Sequence, residues 1–336
     1  MRDAYSGMRT THYAVNLYTF PVHVTVYTRF GFFSSMVYLV FDLGAVCRQG
    51  FDLVSGSVAV KLAVLSDIHG NLAALQAVAA EIECWQPDAI VVAGDIVNRG
   101  PLSRQCLAFV QARQADSGWQ VLRGNHEEYV IKVANDPSPR QGVEEAVRAN
   151  VRWTAAQLGD VDPLQVMPTI IRLHGPDGGE VRVVHASMRY NRDNILIDTP
   201  DDLLRAQIAP PPALFCCGHT HRPLVRIVDG TLVVNAGAVG LPFDGDRRAS
   251  YTRLTWEAGS WQAEIARVAY DYAQTARDYV QSGFMDASGP VAPIIYEEFR
   301  TALPRLSTWF GTYEAAVLAG KISAADAVQA FLKRDA

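Results

Sequence analysis

From Lys61 onward, short apolar runs alternate with amphipathic stretches, and each of the first three apolar runs ends directly in a polar cluster. This pattern constrains the fold most, because apolar strands separated by helical periods pack as an α/β sheet covered on its faces. Residues 61–66 predict a buried strand. Residues 71–83 predict a helix with Leu72, Leu75, Val78, Ala79 and Ile82 on one face. A second strand is expected over 89–93, a second helix over 101–111 opened by Pro101, and a third strand over 119–122. These strands run into SDIHGN, GDIVNRG and RGNHE. Open α/β sheets place ligands at the carboxyl ends of their strands, so these loops are the candidate site.

The second half of the chain changes character. After helices over 126–134 and 143–158, residues 169–173 and 181–184 read as a hairpin around Gly-Pro-Asp-Gly-Gly. Strands over 214–217, 224–228, 232–235, 251–256 and 261–268 follow, with short turns between them. They predict a second, largely antiparallel sheet stacked on the first and flanked by helices. Residues 271–336 read as helices, with Ser323 capping the last one over 324–332. The first 60 residues differ, holding neither Lys nor Glu but a β-prone stretch at 22–28. The expected organisation is therefore a dispensable extension over 1–60, consistent with an upstream start assignment, a main domain over 61–270, and a helical extension over 271–336.

Apolar residues make up 49% of the chain and charged ones 19%, enough for a sizeable core. A net charge of −5 argues against stable nucleic-acid binding through a broad basic face. It leaves room for a nucleotide substrate, because bound metal ions would supply local positive charge. Cys47, Cys84, Cys106, Cys216 and Cys217 form no paired framework, which fits small buried hydrophobes in a reduced, cytoplasmic compartment. The apolar run 30–46 contains Asp42 and Gly44 and falls short of the ~20 residues a spanning helix needs. No membrane span and no secretory signal are expected.

Histidines carry the functional signal. Asp67 and His69 stand two apart beyond the first strand, and His219 and His221 repeat that spacing after 214–217. Gly94-Asp95 and Gly124-Asn125 give pliable backbone and short oxygen-bearing side chains at two further strand ends, and His185 follows 181–184. A single histidine after a strand is usually a turn or core residue. Asp67, His69, Asp95, Asn125, His185, His219 and His221, all at strand ends facing one crevice, point instead to metal binding. Imidazole, carboxylate and amide together suit manganese, iron, cobalt or zinc better than an all-oxygen calcium or magnesium cage. The set is too large for one ion and fits two sharing a carboxylate, a pair able to activate a bridging hydroxide and clamp a phosphate. No GxSxG nucleophile occurs.

Asp67-Ile-His69, Gly94-Asp95, Gly124-Asn125-His126, His185 and Gly218-His219-Thr-His221, in that order, resemble the signature of the calcineurin-like metallophosphoesterases. The resemblance implies a four-layer α/β/β/α sandwich and two divalent transition metal ions, manganese first, with iron, cobalt, nickel or zinc as alternatives. It assigns Asp67, His69, Asp95 and His221 to one ion, and Asp95, Asn125, His185 and His219 to the other, with Asp95 bridging. His126 would face the substrate and assist the leaving oxygen.

Within the family, SDIHGN and the segment 235–251 look like the YfcE-like and diadenosine-tetraphosphatase-related bacterial branch. That implies a small phosphorylated substrate such as a nucleotide or dinucleoside polyphosphate. GDIVNRG and LRGNHE also resemble the serine/threonine protein phosphatases. Asn98, however, stands where those enzymes carry an aspartate supporting the catalytic histidine. A scaffold that has lost catalysis is the third reading, but every ligand position and His126 are present. Arg99 and Arg123 are the candidate phosphate contacts, since guanidinium matches phosphate bidentately. Arg189 and Arg192, shortly after His185, are candidates for a nucleoside or second phosphate.

Overall fold

The structure is a computed structural model. It describes residues 59–136 and 138–334, together with the backbone of strands at 8–17, 20–29, 36–41 and 51–52. Two units divide the chain, 1–50 and 51–336. The first holds three antiparallel strands, β1 (Met8–Leu17), β2 (Phe20–Arg29) and β3 (Met36–Phe41), in that order. The rest of the apolar run 30–46, and Cys47, lie outside the described residues.

The second unit is an α/β sandwich of four layers. Its first sheet has the order β14-β13-β5-β6-β7, formed by β5 (Val60–Leu65), β6 (Ala89–Val92), β7 (Gln120–Val121), β13 (Ala249–Glu257) and β14 (Ser260–Val268). β5, β6 and β7 run parallel, joined by α1 (Leu72–Trp85) and α2 (Ser103–Ser117). Asn71 caps α1 by accepting the Ala74 N–H at 3.2 Å. α2 begins two residues beyond Pro101, so that proline precedes the helix instead of opening it. Helices α3 (Asn125–Asn135) and α4 (Gly142–Leu158) and the short α5 (Asp162–Gln165) follow.

The second sheet has the order β11-β12-β10-β9-β8-β4. Its strands are β4 (Phe51–Asp52), β8 (Ile170–His174), β9 (Glu180–Val184), β10 (Leu214–Cys217), β11 (Leu224–Val228) and β12 (Thr231–Asn235). It is mixed, where a largely antiparallel sheet was expected. β8 and β9 form the expected hairpin, but β9, β10 and β12 run parallel. Parallel neighbours need a crossover, and the one between β9 and β10 contains α6 (Asp201–Ile208), a short helix whose period is easily lost in its loop. The β13–β14 hairpin also departs from expectation. It joins the first sheet, antiparallel to β5, and closes an edge that would otherwise expose unpaired backbone.

Alternation along the strands explains the layers. Ala63 and Leu65 face the helices, together with Leu75, Val78 and Ile82 of α1. Leu62 and Val64 face the other way, against Leu173, Val183 and Cys216 of the second sheet. Cys217 points to the far side, with Leu204 and Ile208 of α6, so the neighbouring cysteines do split between faces. Each fully buried Leu or Val contributes roughly 1.5–3 kcal/mol, which fixes the stacking of the sheets and therefore the crevice at their carboxyl ends.

Helices α7 (Tyr272–Gln281), α8 (Phe284–Ala287), α9 (Ala292–Thr301), α10 (Leu306–Leu318) and α11 (Ala324–Arg334) complete the unit. Their apolar faces bury Tyr279, Phe284, Phe299 and Trp309 with Val143 and Ala146 of α4. Ser323 does cap α11, accepting the Asp326 N–H at 3.0 Å. Among the described residues, no helix is long and apolar enough to cross a membrane.

Candidate metal centre

The strand-end residues converge. Asp67 and His69 follow β5, Asp95 follows β6, Asn125 opens α3 after β7, His185 follows β9, and His219 and His221 follow β10. His69 Nε2 lies 3.2 Å from His221 Nε2 and 3.7 Å from both Asp67 Oδ1 and Asp95 Oδ2. His221 Nε2 lies 3.2 Å from Asp67 Oδ1. On the other side of Asp95, its Oδ2 is 3.2 Å from His185 Nε2. Asn125 Oδ1 is 2.8 Å from both His185 Nε2 and His219 Nδ1. Two potential cation sites result, Asp67/His69/Asp95/His221 and Asp95/His185/His219, with Asp95 common to both.

Hydrogen bonding behind the ligands shows that this arrangement fits metal. The Nδ1–H of His69 donates to Asn98 O at 3.1 Å, that of His185 to Ala93 O at 2.8 Å, and that of His221 to Leu241 O. Each ring therefore turns its Nε2 inward, the nitrogen a metal would take in place of a proton. Asp67 Oδ1 and Asp95 Oδ2 are buried in the same space with no hydrogen-bond partner. Acceptors that face acceptors at such distances call for a cation. Burial disfavours charge on both carboxylates, yet the surrounding histidines outweigh it and hold both below the usual carboxylate range. Burial alone would lower His185, but Asp95 outweighs it and raises that imidazole to about 10.

Tight backbone packing builds the cradle. Asp67, His69, Asp95, His219 and His221 all have positive φ, between 46° and 68°. Non-glycine residues there cost about 1–3 kcal/mol each and persist only where surrounding contacts hold them. Here Asp67 N donates to Gly94 O at 3.1 Å and His69 N to Asp95 O at 3.0 Å. Gly94 has φ +86°, and a Cβ on it would lie 2.5 Å from the Gly124 nitrogen. A Cβ on Gly124 would lie 2.1 Å from Asp95 Oδ1, the oxygen that accepts the His126 N–H at 2.8 Å.

Several residues around the cluster went unrecognised in the sequence. Glu127, fully buried, accepts the N–H groups of Asp95, Ile96 and Gly124 at 2.8 Å and of Val97 at 3.1 Å. It ties the second ligand loop to the start of α3. Burial, reinforced by Asp95, raises its carboxyl to about 7 against the pull of those amides. The signal was a glutamate three residues after Gly124, the spacing of a helix cap that reaches back.

His126 lies edge-on to His69, with ring centroids 4.8 Å apart. Thr154 Oγ1 donates to Asn98 Oδ1 at 3.0 Å, which turns Asn98 Nδ2 toward His126 Nδ1 at 2.7 Å. The ring thus keeps its proton on Nε2. Burial is the largest reason His126 sits well below the usual histidine range, and Arg99 is among the cations that add to it.

The arginines divide. Arg99 contacts Glu298 at 3.4 Å, and Arg192 lies over the ring of Tyr129 at 4.5 Å, itself edge-on to His126 at 5.3 Å. Arg123 donates instead to Gln165 O at 3.0 Å, and Arg189 pairs with Asp193 at 3.3 Å within its own loop. Phe243, unsuspected in the sequence, stacks on His221 with centroids 4.3 Å apart. An open cavity of about 820 Å³ lies on Asp244, Asp246, Arg247, Tyr270 and Tyr272 and shares no residue with the cluster.

Residues 60–259 match the calcineurin-like phosphoesterase superfamily domain. The chain belongs to that superfamily. An uncharacterized protein of Methanocaldococcus jannaschii is 27% identical over 241 residues, covering 66% of this chain and 92% of its own length. A crystal structure of a metallophosphoesterase from Sphaerobacter thermophilus aligns with a TM-score of 0.57 and 25% identity, over 73% of this chain and 100% of that one. A hypothetical protein from Pyrococcus horikoshii aligns at 0.59 and 19%, over 69% and 97%, and bears on the fold alone. Superfamily members are generally hydrolases that use divalent metals. The inward-facing nitrogens and unpartnered carboxylate oxygens give this chain a cluster able to hold such ions.

Proposed function

We propose that this chain is a binuclear metal-dependent phosphoesterase that hydrolyses phosphate ester or anhydride bonds of a small, nucleotide-type substrate. One observation carries the reading: two acceptor clusters share Asp95 Oδ2, a buried oxygen with no hydrogen-bond partner. Asp67, His69, Asp95 and His221 would hold one ion, and Asp95, Asn125, His185 and His219 the other. Two such ions, manganese first, would neutralise phosphate charge and make a water acidic enough to attack near neutral pH.

The chain's own groups do the rest. His126, neutral and protonated on Nε2, donates a hydrogen bond that stabilises the charge growing on the leaving oxygen and keeps its own proton. Arg99 binds a phosphate oxygen pair. Arg192, raised on Tyr129, faces a second phosphate or the nucleoside. Arg123 and Arg189 are engaged elsewhere and contribute less. Asn98 beside His126 disfavours the protein-phosphatase reading, because a neutral amide supports an imidazolium less well than a carboxylate does. The catalytic domain spans 61–270. Among the described residues Cys84, Cys106, Cys216 and Cys217 are free thiols, Cys84 exposed against expectation and the other three pushed up by burial, which supports a cytoplasmic address.

The test is the full chain loaded with Mn²⁺ and assayed on p-nitrophenyl phosphate, bis-p-nitrophenyl phosphate and diadenosine tetraphosphate, with Asp95→Asn alongside. Turnover in the wild type and a loss of at least about 10²–10³-fold in the variant are expected. A wild-type chain that binds two ions and turns over none of the three compounds would overturn the proposal. Better turnover of phosphopeptides than of the dinucleotide would restore the protein-phosphatase reading.

A further inference from the structure

Helices α7–α11 lie outside the matched domain, residues 60–259, yet they contact the loops that carry the metal cluster. Thr275 Oγ1 of α7 donates to Asn71 Oδ1 at 2.8 Å, just beyond His69. The Tyr279 hydroxyl donates to Arg99 O at 3.1 Å, at a residue whose φ is +60°. Glu298 of α9 is 1% exposed. Its two oxygens have different partners. Oε1 accepts the N–H groups of Arg305 and Leu306, at 3.0 and 2.8 Å, where α10 begins. Oε2 faces Arg99 Nη1 at 3.4 Å.

Arg99 is 22% exposed, and Glu298 is the carboxylate paired with it among the described residues. A guanidinium has five N–H donors in a rigid fork. Glu298 faces one Nη at 3.4 Å and so restricts how the fork can turn. The rest of the part-exposed fork can take a phosphate, and Arg99 directly follows Asn98, whose carbonyl accepts the His69 Nδ1–H at 3.1 Å and whose amide lies 2.7 Å from His126 Nδ1. A carboxylate buried this deeply would be strongly destabilising without a cationic partner, so the pairing also holds Arg99 against leaving for solvent.

We propose that Glu298 is a positioning residue for Arg99, and that the C-terminal helices thereby complete the phosphate-binding wall of the site. This rests on the phosphoesterase reading for the role of Arg99, but its test does not depend on turnover alone. Glu298→Gln keeps the side-chain shape and an acceptor for the two α10 amides while removing the charge that orients Arg99. In the Mn²⁺-loaded full chain, calorimetric titration with inorganic phosphate should show binding weakened about tenfold by Glu298→Gln. KM for p-nitrophenyl phosphate should rise by a similar factor, with kcat changed less. In an Arg99→Ala background, Glu298→Gln should weaken phosphate binding no further, and Glu298→Asp should recover part of the loss in the Arg99 chain.

Phosphate binding within twofold of wild type in Glu298→Gln would overturn the inference. An equal loss with and without Arg99 would overturn it as well, as would a loss that only tracks a fall in Tm. If wild type turns over p-nitrophenyl phosphate and Glu298→Gln leaves phosphate binding unchanged, this inference fails and the phosphoesterase reading stands. If wild type turns over nothing, that reading fails, and the phosphate titrations still decide the role of Glu298.

Discussion

The ligand cradle and the arginine rim of the same crevice are built in opposite ways. In the cradle, Asp67, His69, Asp95 and His185 are at most 1% exposed, their backbones interlock, and their outer nitrogens are tied to carbonyls. On the rim, Arg189 and Arg192 are exposed and held by one ion pair and two ring contacts. A cradle of this kind tolerates almost no change of volume. A rim of this kind can be rewritten with little cost to the fold. On the proposed phosphoesterase reading, the first region would carry the chemistry and the second the choice of substrate, with Arg99 and Glu298 joining the two.

Gly124→Ala should show the sharpest contrast. Its Cβ would lie 2.1 Å from Asp95 Oδ1 and 2.6 Å from the Asp95 backbone nitrogen, which cannot give way. We expect a destabilisation of about 1–3 kcal/mol by denaturant unfolding and fewer than two bound ions by metal analysis. Full metal occupancy in this variant would break the picture of a rigid cradle.

Glu127→Gln is the next largest. The amide end of glutamine would set N–H donors against some of the four amides that Glu127 now accepts. A loss of roughly 1–3 kcal/mol is expected from those unsatisfied groups, with kcat falling more than KM rises because the Asp95 loop shifts. An unchanged melting curve would show that the carboxylate is dispensable to the loop.

The smallest effect belongs to the rim. Arg189→Ala should change stability by less than about 1 kcal/mol, since an exposed pair such as Arg189–Asp193 contributes little. Its kcat/KM on p-nitrophenyl phosphate should stay within about twofold of wild type. Arg192→Ala should likewise leave the fold unchanged but raise KM for diadenosine tetraphosphate more than for p-nitrophenyl phosphate. Equal effects on both substrates would remove the assignment of substrate choice to the rim.

How much was legible differs between these regions for physical reasons. The cradle residues sit at the ends of short apolar strands, and a parallel sheet directs those ends to one side. Local pattern alone therefore brought Asp67, His69, Asp95, Asn125, His185, His219 and His221 together. Contacts made across large sequence separations left no such trace. Glu298 is far along the chain from Arg99, and nothing near either residue marks the pair. Phe243 on His221 and Thr154 behind Asn98 are hidden in the same way. The second sheet was misread as largely antiparallel because α6 is short and its crossover reads as loop.

By itself, then, the sequence determined the α/β class, most strand and helix positions, the superfamily and the residues available to hold metal. Hydrophobic period and the chemistry of side chains at strand ends are local properties, readable residue by residue. Only the tertiary structure decided which strands share a sheet, which ring nitrogens turn inward, and that a carboxylate from the C-terminal helices meets Arg99. Those outcomes depend on packing and hydrogen bonding between segments distant in the chain, where the free energy belongs to the pair and not to either residue alone.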